Sequence, residues 1–275
     1  MHWYRRETGL PCYSIVGANG NKRSPTLRDA RNGVADLPAN AIVPSVTSIL
    51  YEWGTPSGLV NWQLRTLAML GAKLPLEFGE TEPQYAERLL RAADEDRRTA
   101  MKLGSEVHGT IESLLLDAPL PEVSAEARVC ADAAVVWLRD ECSKMHLIER
   151  SFAGGVYGGK FDLLASLKHR GGAVLFDFKS QKTKLDAKGG TRWAHYDEWG
   201  EQLAAYADAF RLRDVEPKLS PRPKRWANLI ISTTEPGKVH LHEWTDKARL
   251  RAQWLCKLRY FQQTRDWFPE NEEAA

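Results

Sequence analysis

Three consecutive strand-like segments in the middle of the chain place the strongest constraint on its fold. Residues 146–152 form the first segment, and a glycine-rich turn leads from it to the second, at 157–167. The third, 173–179, is almost wholly apolar until its end, which is typical of a strand buried on both faces. The Gly171-Gly172 pair predicts a hairpin turn between the second and third segments. We therefore expect neighbouring strands of one sheet, with the third strand in the protein interior.

Apolar residues recur at helical spacing on both sides of these strands. A helix is expected to begin near Pro44, with Ser45 or Thr47 as its N-cap. The other expected elements are helices at 57–72, 82–118, 124–144, 198–213 and 246–267, a short strand at 13–16, and a strand pair at 226–233 and 239–244.

The chain has no internal repeat and no clear linker, so we interpret residues 1–275 as one domain. Its expected parts are an N-terminal extension (1–43), a mainly helical part (44–145), a sheet core with the active site (146–245), and a C-terminal helix and tail (246–275). The sequence predicts two further features of the helices. The helix at 82–118 should be interrupted near Gly104. The helix at 124–144 should bury Val129, Ala133, Val136 and Trp137.

Composition narrows the class of protein. Hydrophobic residues make up 43% of the chain and charged residues 27%, which are ordinary values for a soluble globular protein. No apolar run approaches the roughly 18 residues of a membrane span, and the N-terminus lacks the apolar core of a secretory signal. We therefore expect a cytoplasmic protein. The net charge of +2 excludes a uniformly basic surface but is compatible with a local basic face.

Two aspartates are notable because each lies in an otherwise apolar strand, where an unpaired charge is costly. Asp162 belongs to the second strand and Asp177 to the end of the third. Adjacent strands lie about 5 Å apart, a spacing at which two carboxylates can share a divalent cation. Because residues i and i+2 of a strand point to the same face, Lys179 should converge with Asp177, while Phe178 turns into the core.

This combination suits hydrolysis of a phosphodiester. A Mg²⁺ or Mn²⁺ ion held by two carboxylates lowers the pKa of its water and offsets charge on the scissile phosphate. Lys179 can position that water or stabilise charge that develops on the phosphate. The alternative is that the two aspartates are surface acids at strand ends and that Lys179 is simply the first solvated residue after its strand.

Three motifs occur in a characteristic order along the chain, and a fourth precedes them. The segment 158–162 reads GGKFD, 177–179 reads DFK, 202–206 reads QLAAY, and 44–47 reads PSVT. Together they resemble the PD-(D/E)XK nuclease superfamily and, within it, the RecB-like branch. The first three look like the branch's glycine-rich segment that ends in a metal-binding aspartate, its D-x-K signature, and its Q-x-x-x-Y helix. The fourth is similar to the opening of phage exonucleases and of the mitochondrial genome maintenance exonuclease.

The resemblance implies an α/β fold with a restriction-endonuclease-like core, in which a mixed central sheet of four or five strands is flanked by helices and preceded by a helical N-terminal portion. It implies that Mg²⁺ or Mn²⁺ is held by Asp162, Asp177, the backbone carbonyl of Phe178 and His108, with Lys179 acting on water and phosphate. It also implies DNA as the partner, with single-stranded ends as the preferred substrate, in phage or bacterial replication, recombination or repair.

Five residues are expected near this centre in supporting roles. His108 occupies the place of an upstream histidine that often binds metal in the branch, although a lone histidine is commonly structural. Glu112 shares its helix face and could hydrogen-bond His108 or be solvated. Glu149, on the first strand, could help to bind a second metal or orient a base. Gln202 and Tyr206 lie one helical turn apart and either contact the nucleic-acid backbone, support the metal shell, or simply pack.

The loop 181–196 interleaves cations with aromatic side chains, a combination that suits single-stranded nucleic acid. The candidate residues are Lys182, Lys184, Lys188, Arg192, Trp193, His195 and Tyr196. Because the loop follows the third strand directly, we expect a lid or a DNA clamp, and a solvated mobile loop is the alternative. The basic loop 222–225 is a weaker candidate, and the histidines at 240 and 242 are interpreted as structural.

Several alternatives stay open. The enzyme could be a double-strand exonuclease or an endonuclease, and the chain could also be a DNA-binding protein that does not cleave, or a structural phage protein. Some RecB-like nucleases hold an iron–sulfur cluster on one early cysteine and three late ones. We expect no such cluster here because Cys256 is the only cysteine near the C-terminus.

Overall fold

The structure is a computed structural model that describes residues 1–35, 37–54, 57–212 and 221–269. Its helices are α1 (Leu27–Asn32), α2 (Val46–Glu52), α3 (Ser57–Lys73), α4 (Glu82–Leu115), α5 (Ala125–Glu141), α6 (Asp197–Leu212) and α7 (Lys247–Arg265). Its strands are β1 (Trp3–Arg5), β2 (Ile15–Val16), β3 (Lys22–Arg23), β4 (Ile42–Pro44), β5 (Cys142–Ala153), β6 (Gly158–Leu167), β7 (Arg170–Gln181), β8 (Lys184–Leu185), β9 (Thr191–Arg192), β10 (Pro223–Ser232) and β11 (Val239–Glu243).

Five strands form the central sheet, in the order β11-β10-β7-β6-β5. The β10–β7 pair is parallel, and the other three pairs are antiparallel. The predicted α/β class, with a mixed sheet flanked by helices, is therefore confirmed. β7 lies in the middle of the sheet, and its residues 173–178 are all buried, as their apolar run predicts.

Hydrophobic cores lie on both faces of this sheet. Ala173 and Leu175 of β7 belong to a core with side chains from the N-terminal strands, α2, α6 and α7. Val174, Phe176 and Phe178 belong to a second core with side chains from α4 and α5. The alternation follows from the two-residue period of a strand. It also means that Asp177 and Lys179 lie on the α6 side of the sheet.

Ser45 is the N-cap of α2, which settles the choice between Ser45 and Thr47. Its hydroxyl accepts a hydrogen bond from the backbone N–H of Ser48 at 3.0 Å. Its own backbone N–H donates to the carbonyl of His2 at 2.8 Å, which ties the N-terminal segment to this point. The predicted strand at 13–16 is reduced to the two residues of β2.

The predicted interruption of the long helix near Gly104 is wrong. α4 runs through Gly104 without a break. A Cβ at this position would lie 2.9 Å from Oγ of Ser180, so the glycine allows α4 to pass close to the end of β7. Close approach between two elements, rather than helix termination, explains this glycine.

The predicted buried face of α5 is wrong for two of its four residues, whereas Ala133 and Trp137 are half-buried and Trp137 packs against the second core. Val129 and Val136 are 48% and 58% exposed. The buried face instead carries Ala127, Cys130, Ala131, Ala134, Val135 and Leu138. At about 100° per residue, Val129 and Val136 lie on the side of α5 opposite this face. Small side chains allow α5 to pack closely against α4 and the sheet, which outweighs the greater hydrophobicity of the two valines.

Two predictions about connections are corrected as well. The turn between β6 and β7 is formed by residues 168 and 169, because Leu167 pairs with Arg170. Gly171 and Gly172 therefore lie within β7. The predicted polar loop after β7 contains a short hairpin made of β8 and β9.

Parts of some predictions lie outside the described residues, namely the end of the helix at 213 and the tail after residue 269. Within the ranges that the structure covers, no helix is long and apolar enough to cross a membrane. The interpretation of the chain as one domain stays a prediction.

Candidate active site

The D-x-K step of β7 brings Asp177 and Lys179 together on one face of the sheet. Nζ of Lys179 lies 2.7 Å from Oδ2 of Asp177. The intervening Phe178 is 1% exposed and lies in the core on the other face. This is the arrangement that the two-residue period of a strand requires.

Asp162 lies where the ladder between β6 and β7 ends. The last regular pair on this side joins Leu163 to Phe176. Beyond it, the backbone N–H of Phe178 donates to Oδ2 of Asp162, so a carboxylate takes the place of a strand carbonyl. The side chain of Asp162 is thus held beside Asp177, and the two strands bring both aspartates to one region of the sheet.

Asn228 is a residue of this site that the sequence reasoning missed. It lies opposite Asp177 in the parallel ladder between β10 and β7. Its Nδ2 donates to Oδ2 of Asp177 at 2.7 Å, and its Oδ1 accepts from Nε1 of Trp244 at 2.7 Å. A polar residue at the centre of the apolar strand 226–231 is the signal that could have found it.

A second chain of hydrogen bonds connects the site to α6. Nζ of Lys179 donates to Oε1 of Gln202 at 3.0 Å, and Nε2 of Gln202 donates to the hydroxyl of Tyr206 at 2.7 Å. Tyr206 packs against β6 at Gly159, where a Cβ would lie 2.8 Å from its ring. The glycine of the GGKFD segment therefore makes room for the tyrosine of the QLAAY segment.

Three ligand-type side chains converge on the other side of Asp162. The ligand atoms of His108, Glu149 and Asp162 all lie within 4.8 Å of one another. Asp177 is not one of this group, and its carboxylate is held by Lys179 and Asn228 instead.

Glu149 reaches this group from an unusual backbone conformation. Its neighbours in β5 pair with the neighbours of Asp162 in β6, so the two acids lie opposite each other. Its φ is +48°, in the left-handed region that residues other than glycine rarely adopt. Strain of this kind is found at functional sites, where the surrounding structure holds it in place.

Lys160 links the two outer acids of this region. Its Nζ lies 2.7 Å from Glu149 and 3.3 Å from Glu112. Glu112 is therefore neither bonded to His108 nor simply solvated, the two possibilities raised by its spacing in the helix. The side chain of Lys160 is long enough to reach α4 from β6, a contact that helical spacing alone does not reveal.

Burial and the charge of a neighbouring carboxylate raise the pKa of both Asp162 and Glu149. For Asp162 the burial of its carboxyl raises the pKa most, and the charge of Asp177 raises it further. For Glu149 burial again contributes most, followed by the charge of Asp162, while Lys160 opposes the rise. A cation bound between these carboxyls would stabilise their charged forms, because it would offset the cost of burial and the repulsion.

Burial lowers the pKa of His108 below its ordinary value, and the charge of Lys179 acts in the same direction. The imidazole is therefore neutral at physiological pH, which is the form that binds a metal ion. A neutral imidazole with two buried carboxylates is a donor set that fits a divalent cation, and the oxygen donors suit Mg²⁺ or Mn²⁺.

The structure distributes the predicted nucleic-acid-binding residues over the β8–β9 hairpin and the segments on either side of it. Lys182, Lys184, Lys188 and Arg192 are exposed. The ring of Trp193 stacks on His240 with centroids 5.3 Å apart, and His195 stacks on His242 at 4.0 Å, so both pack against β11. Tyr196 packs edge-on against Trp199 of α6 with ring centroids 5.0 Å apart.

Comparison with known proteins includes a solved structure of limited similarity. No protein-family model matches the chain, and no curated protein matches it. Among solved structures, the chain is similar to a protein from Eubacterium rectale described as "Putative exonuclease", with a TM-score of 0.38 and 14% sequence identity. The match covers 61% of this chain and 66% of that chain, just under two thirds of its length.

Proposed function

We propose that the chain is a divalent-metal-dependent deoxyribonuclease of the PD-(D/E)XK superfamily, in its RecB-like branch. The observation that carries the proposal is the convergence of Asp162 and Asp177 on adjacent central strands, with Lys179 paired to Asp177 at 2.7 Å. Charged side chains are costly to bury, and a cluster of them with shifted pKa values is typical of a catalytic centre.

The metal ion would be held by His108, Glu149 and Asp162, which already lie within 4.8 Å of one another. Asp177 and the backbone carbonyl of Phe178 remain the further ligands predicted from the motif. A bound Mg²⁺ or Mn²⁺ would supply an activated water and offset charge on the scissile phosphate.

Lys179 is the group best placed to act on the substrate itself. Its side chain is 21% exposed at the edge of the buried acids, so its ammonium can reach a phosphate oxygen. Gln202 and Asp177 hold the ammonium in position from two sides. A cation oriented in advance stabilises charge that develops on the phosphate without reorganising during the reaction.

We further propose that the substrate is single-stranded DNA and that the enzyme acts from its ends. The exposed cations of the β8–β9 hairpin suit the phosphate backbone of such a strand. Processing of strand ends is chemistry that replication, recombination and repair all require.

The test is digestion of end-labelled linear single-stranded DNA in the presence of Mn²⁺. Wild-type protein is expected to release the label, and Asp177→Ala and Lys179→Met are expected to abolish release. The matched control is Asp132→Asn, which alters an exposed carboxylate on α5 that pairs only with Arg128 among the contacts described. Circular single-stranded DNA should resist the enzyme if it acts only from ends.

Three results would contradict the proposal in whole or in part. Equal cleavage by wild type and Asp177→Ala would mean that the site is misplaced or that the activity comes from a contaminant. DNA binding without cleavage, together with no uptake of Mn²⁺ in calorimetry, would identify a DNA-binding protein on this fold instead. Cleavage of circular DNA would refute the exonuclease part of the proposal and leave the nuclease part intact.

A further inference from the structure

A large groove begins at the candidate active site and runs between α2, α3, α6 and α7. Its volume is about 950 Å³, and Lys179 and Gln202 line its inner end. Ligand sites range from roughly 300 to 1,000 Å³, so this groove has room for more than one flat ring. We call it the aromatic groove because its lining includes Tyr51, Trp53, Trp62, Tyr196 and Trp199.

The aromatic side chains of this groove are unusually accessible. Tyr51 and Trp53 are each 57% exposed, although tryptophan is ordinarily well buried. Trp62 and Tyr196 are also exposed. Accessible aromatic rings that line one groove offer surfaces on which other flat rings can stack.

The charges along the groove are compensated. Arg249 lies 2.5 Å from Asp197, and Lys257 lies 2.5 Å from Glu201. Glu198 adds a further negative charge to the lining. A phosphate backbone would gain little in this groove, whereas neutral aromatic rings would be accommodated.

The aromatic groove is continuous with the candidate active site through Trp199. Nζ of Lys179 lies 5.9 Å from the centroid of the Trp199 ring, and Tyr196 packs edge-on with the same ring at a centroid distance of 5.0 Å. A strand whose phosphate lies at Lys179 would therefore place its neighbouring base at the entrance of the groove.

We infer that the aromatic groove binds unpaired bases of the strand being cut by stacking them on its rings, while the phosphates pass over Lys179. The inference rests on the proposed nuclease function and deepens it, because it makes unpaired bases the feature that the enzyme recognises. In a duplex the base faces are covered by their own stack, so duplex DNA cannot use the groove.

The test compares two fluorescein-labelled probes, a short oligothymidylate and an oligomer of the same length with abasic sites throughout. Their affinities are measured by fluorescence anisotropy in EDTA, so that no cleavage occurs. Wild type should bind the oligothymidylate at least about tenfold more tightly. Stacking of one base corresponds to roughly a 5- to 150-fold change in affinity.

Trp53→Ala should lower affinity for the oligothymidylate within that range and leave affinity for the abasic oligomer unchanged, and Trp53→Phe should retain most of the binding. The matched control is Phe78→Ala, which alters a fully exposed ring between α3 and α4. The 22 residues of α4 between its start and Gly104 place that ring about 30 Å from the active-site end of the helix. Circular dichroism of each variant verifies folding.

The outcomes separate the two proposals. Equal affinity for both probes, equal losses for both in Trp53→Ala, or no DNA binding at all would overturn the base-binding groove. If wild type still cleaves DNA with Mn²⁺ when both probes bind equally, or when Trp53→Ala weakens both equally, the nuclease proposal is retained without the groove. Base-dependent binding that Trp53→Ala removes, in a protein that never cleaves, would support the groove and refute the nuclease.

Discussion

Asn228 donates a hydrogen bond from Nδ2 to Oδ2 of Asp177 at 2.7 Å, across the parallel ladder that joins β10 to β7. Oδ1 of the same amide accepts a hydrogen bond from Nε1 of Trp244 at 2.7 Å, and this second bond fixes the orientation of the amide. Partners of this kind orient the groups that do chemistry and tune their basicity. We therefore assign Asn228 as a positioning residue of the candidate site.

Asn228→Leu is expected to lower the cleavage rate by about 10- to 100-fold, because Asp177 loses a donor that fixes its orientation. The measurement is the cleavage rate as a function of Mn²⁺ concentration. A positioning role predicts slower cleavage and also a higher Mn²⁺ concentration at the half-maximal cleavage rate. Asn228→Gln should recover part of the loss. A variant with lower thermal stability but unchanged cleavage when folded would refute this role.

His108→Ala and Glu149→Gln are each expected to weaken Mn²⁺ binding by about tenfold or more, because each removes one of three converging ligands. Isothermal titration calorimetry of the purified variants measures the effect directly. Glu112→Gln is the matched control for Glu149, because Glu112 shares the contact with Lys160 but does not belong to the ligand group. Unchanged Mn²⁺ affinity in both ligand variants would place the metal elsewhere.

Gly159→Ala is expected to destabilise the protein by about 1–3 kcal/mol and to reduce cleavage, because its Cβ would lie 2.8 Å from the ring of Tyr206. Displacement of Tyr206 would also move Gln202, which is hydrogen-bonded to it and to Lys179. Gly171→Ala provides the control, since a Cβ there has nothing within 4 Å. Thermal unfolding and the cleavage assay are measured on both variants, and equal effects would argue against the specific contact.

Lys257→Met is expected to destabilise the protein by about 3 kcal/mol at neutral pH, because it leaves the buried carboxylate of Glu201 without its partner at 2.5 Å. The double variant Glu201→Gln with Lys257→Met should recover most of this loss. The measurement is urea unfolding of the wild type, the two single variants and the double variant, which together form a double-mutant cycle. A Lys257→Met variant as stable as the wild type would contradict the pairing.

The pH dependence of Lys257→Met follows from the same pair. Burial raises the pKa of Glu201 above its ordinary value, and Lys257 opposes that rise. Without the lysine, the folded protein keeps a proton that the unfolded chain releases above about pH 4.3. Stability should therefore fall as pH rises beyond that value and recover as pH is lowered towards it. A loss of stability that is the same at all pH values would contradict this account.

Several features could be predicted from the sequence because they depend on residues close together in the chain. The central position of β7 follows from its apolar run, and the start of α2 follows from its capping residues, although the structure decided between Ser45 and Thr47. Local patterns were less reliable where two elements meet. Gly104 resembles a helix breaker in isolation, yet its role depends on Ser180 of a distant strand.

The sequence by itself determined that Asp177 and Lys179 lie on one face of a strand, because the two-residue period is a property of the backbone. Only the tertiary structure decided which residues meet them. Asn228 is 51 positions from Asp177, and Glu149 reaches His108 and Asp162 through cross-strand pairing and a left-handed backbone. Such contacts depend on strand order and register, which are set by the packing of the whole sheet against its helices rather than by any local pattern.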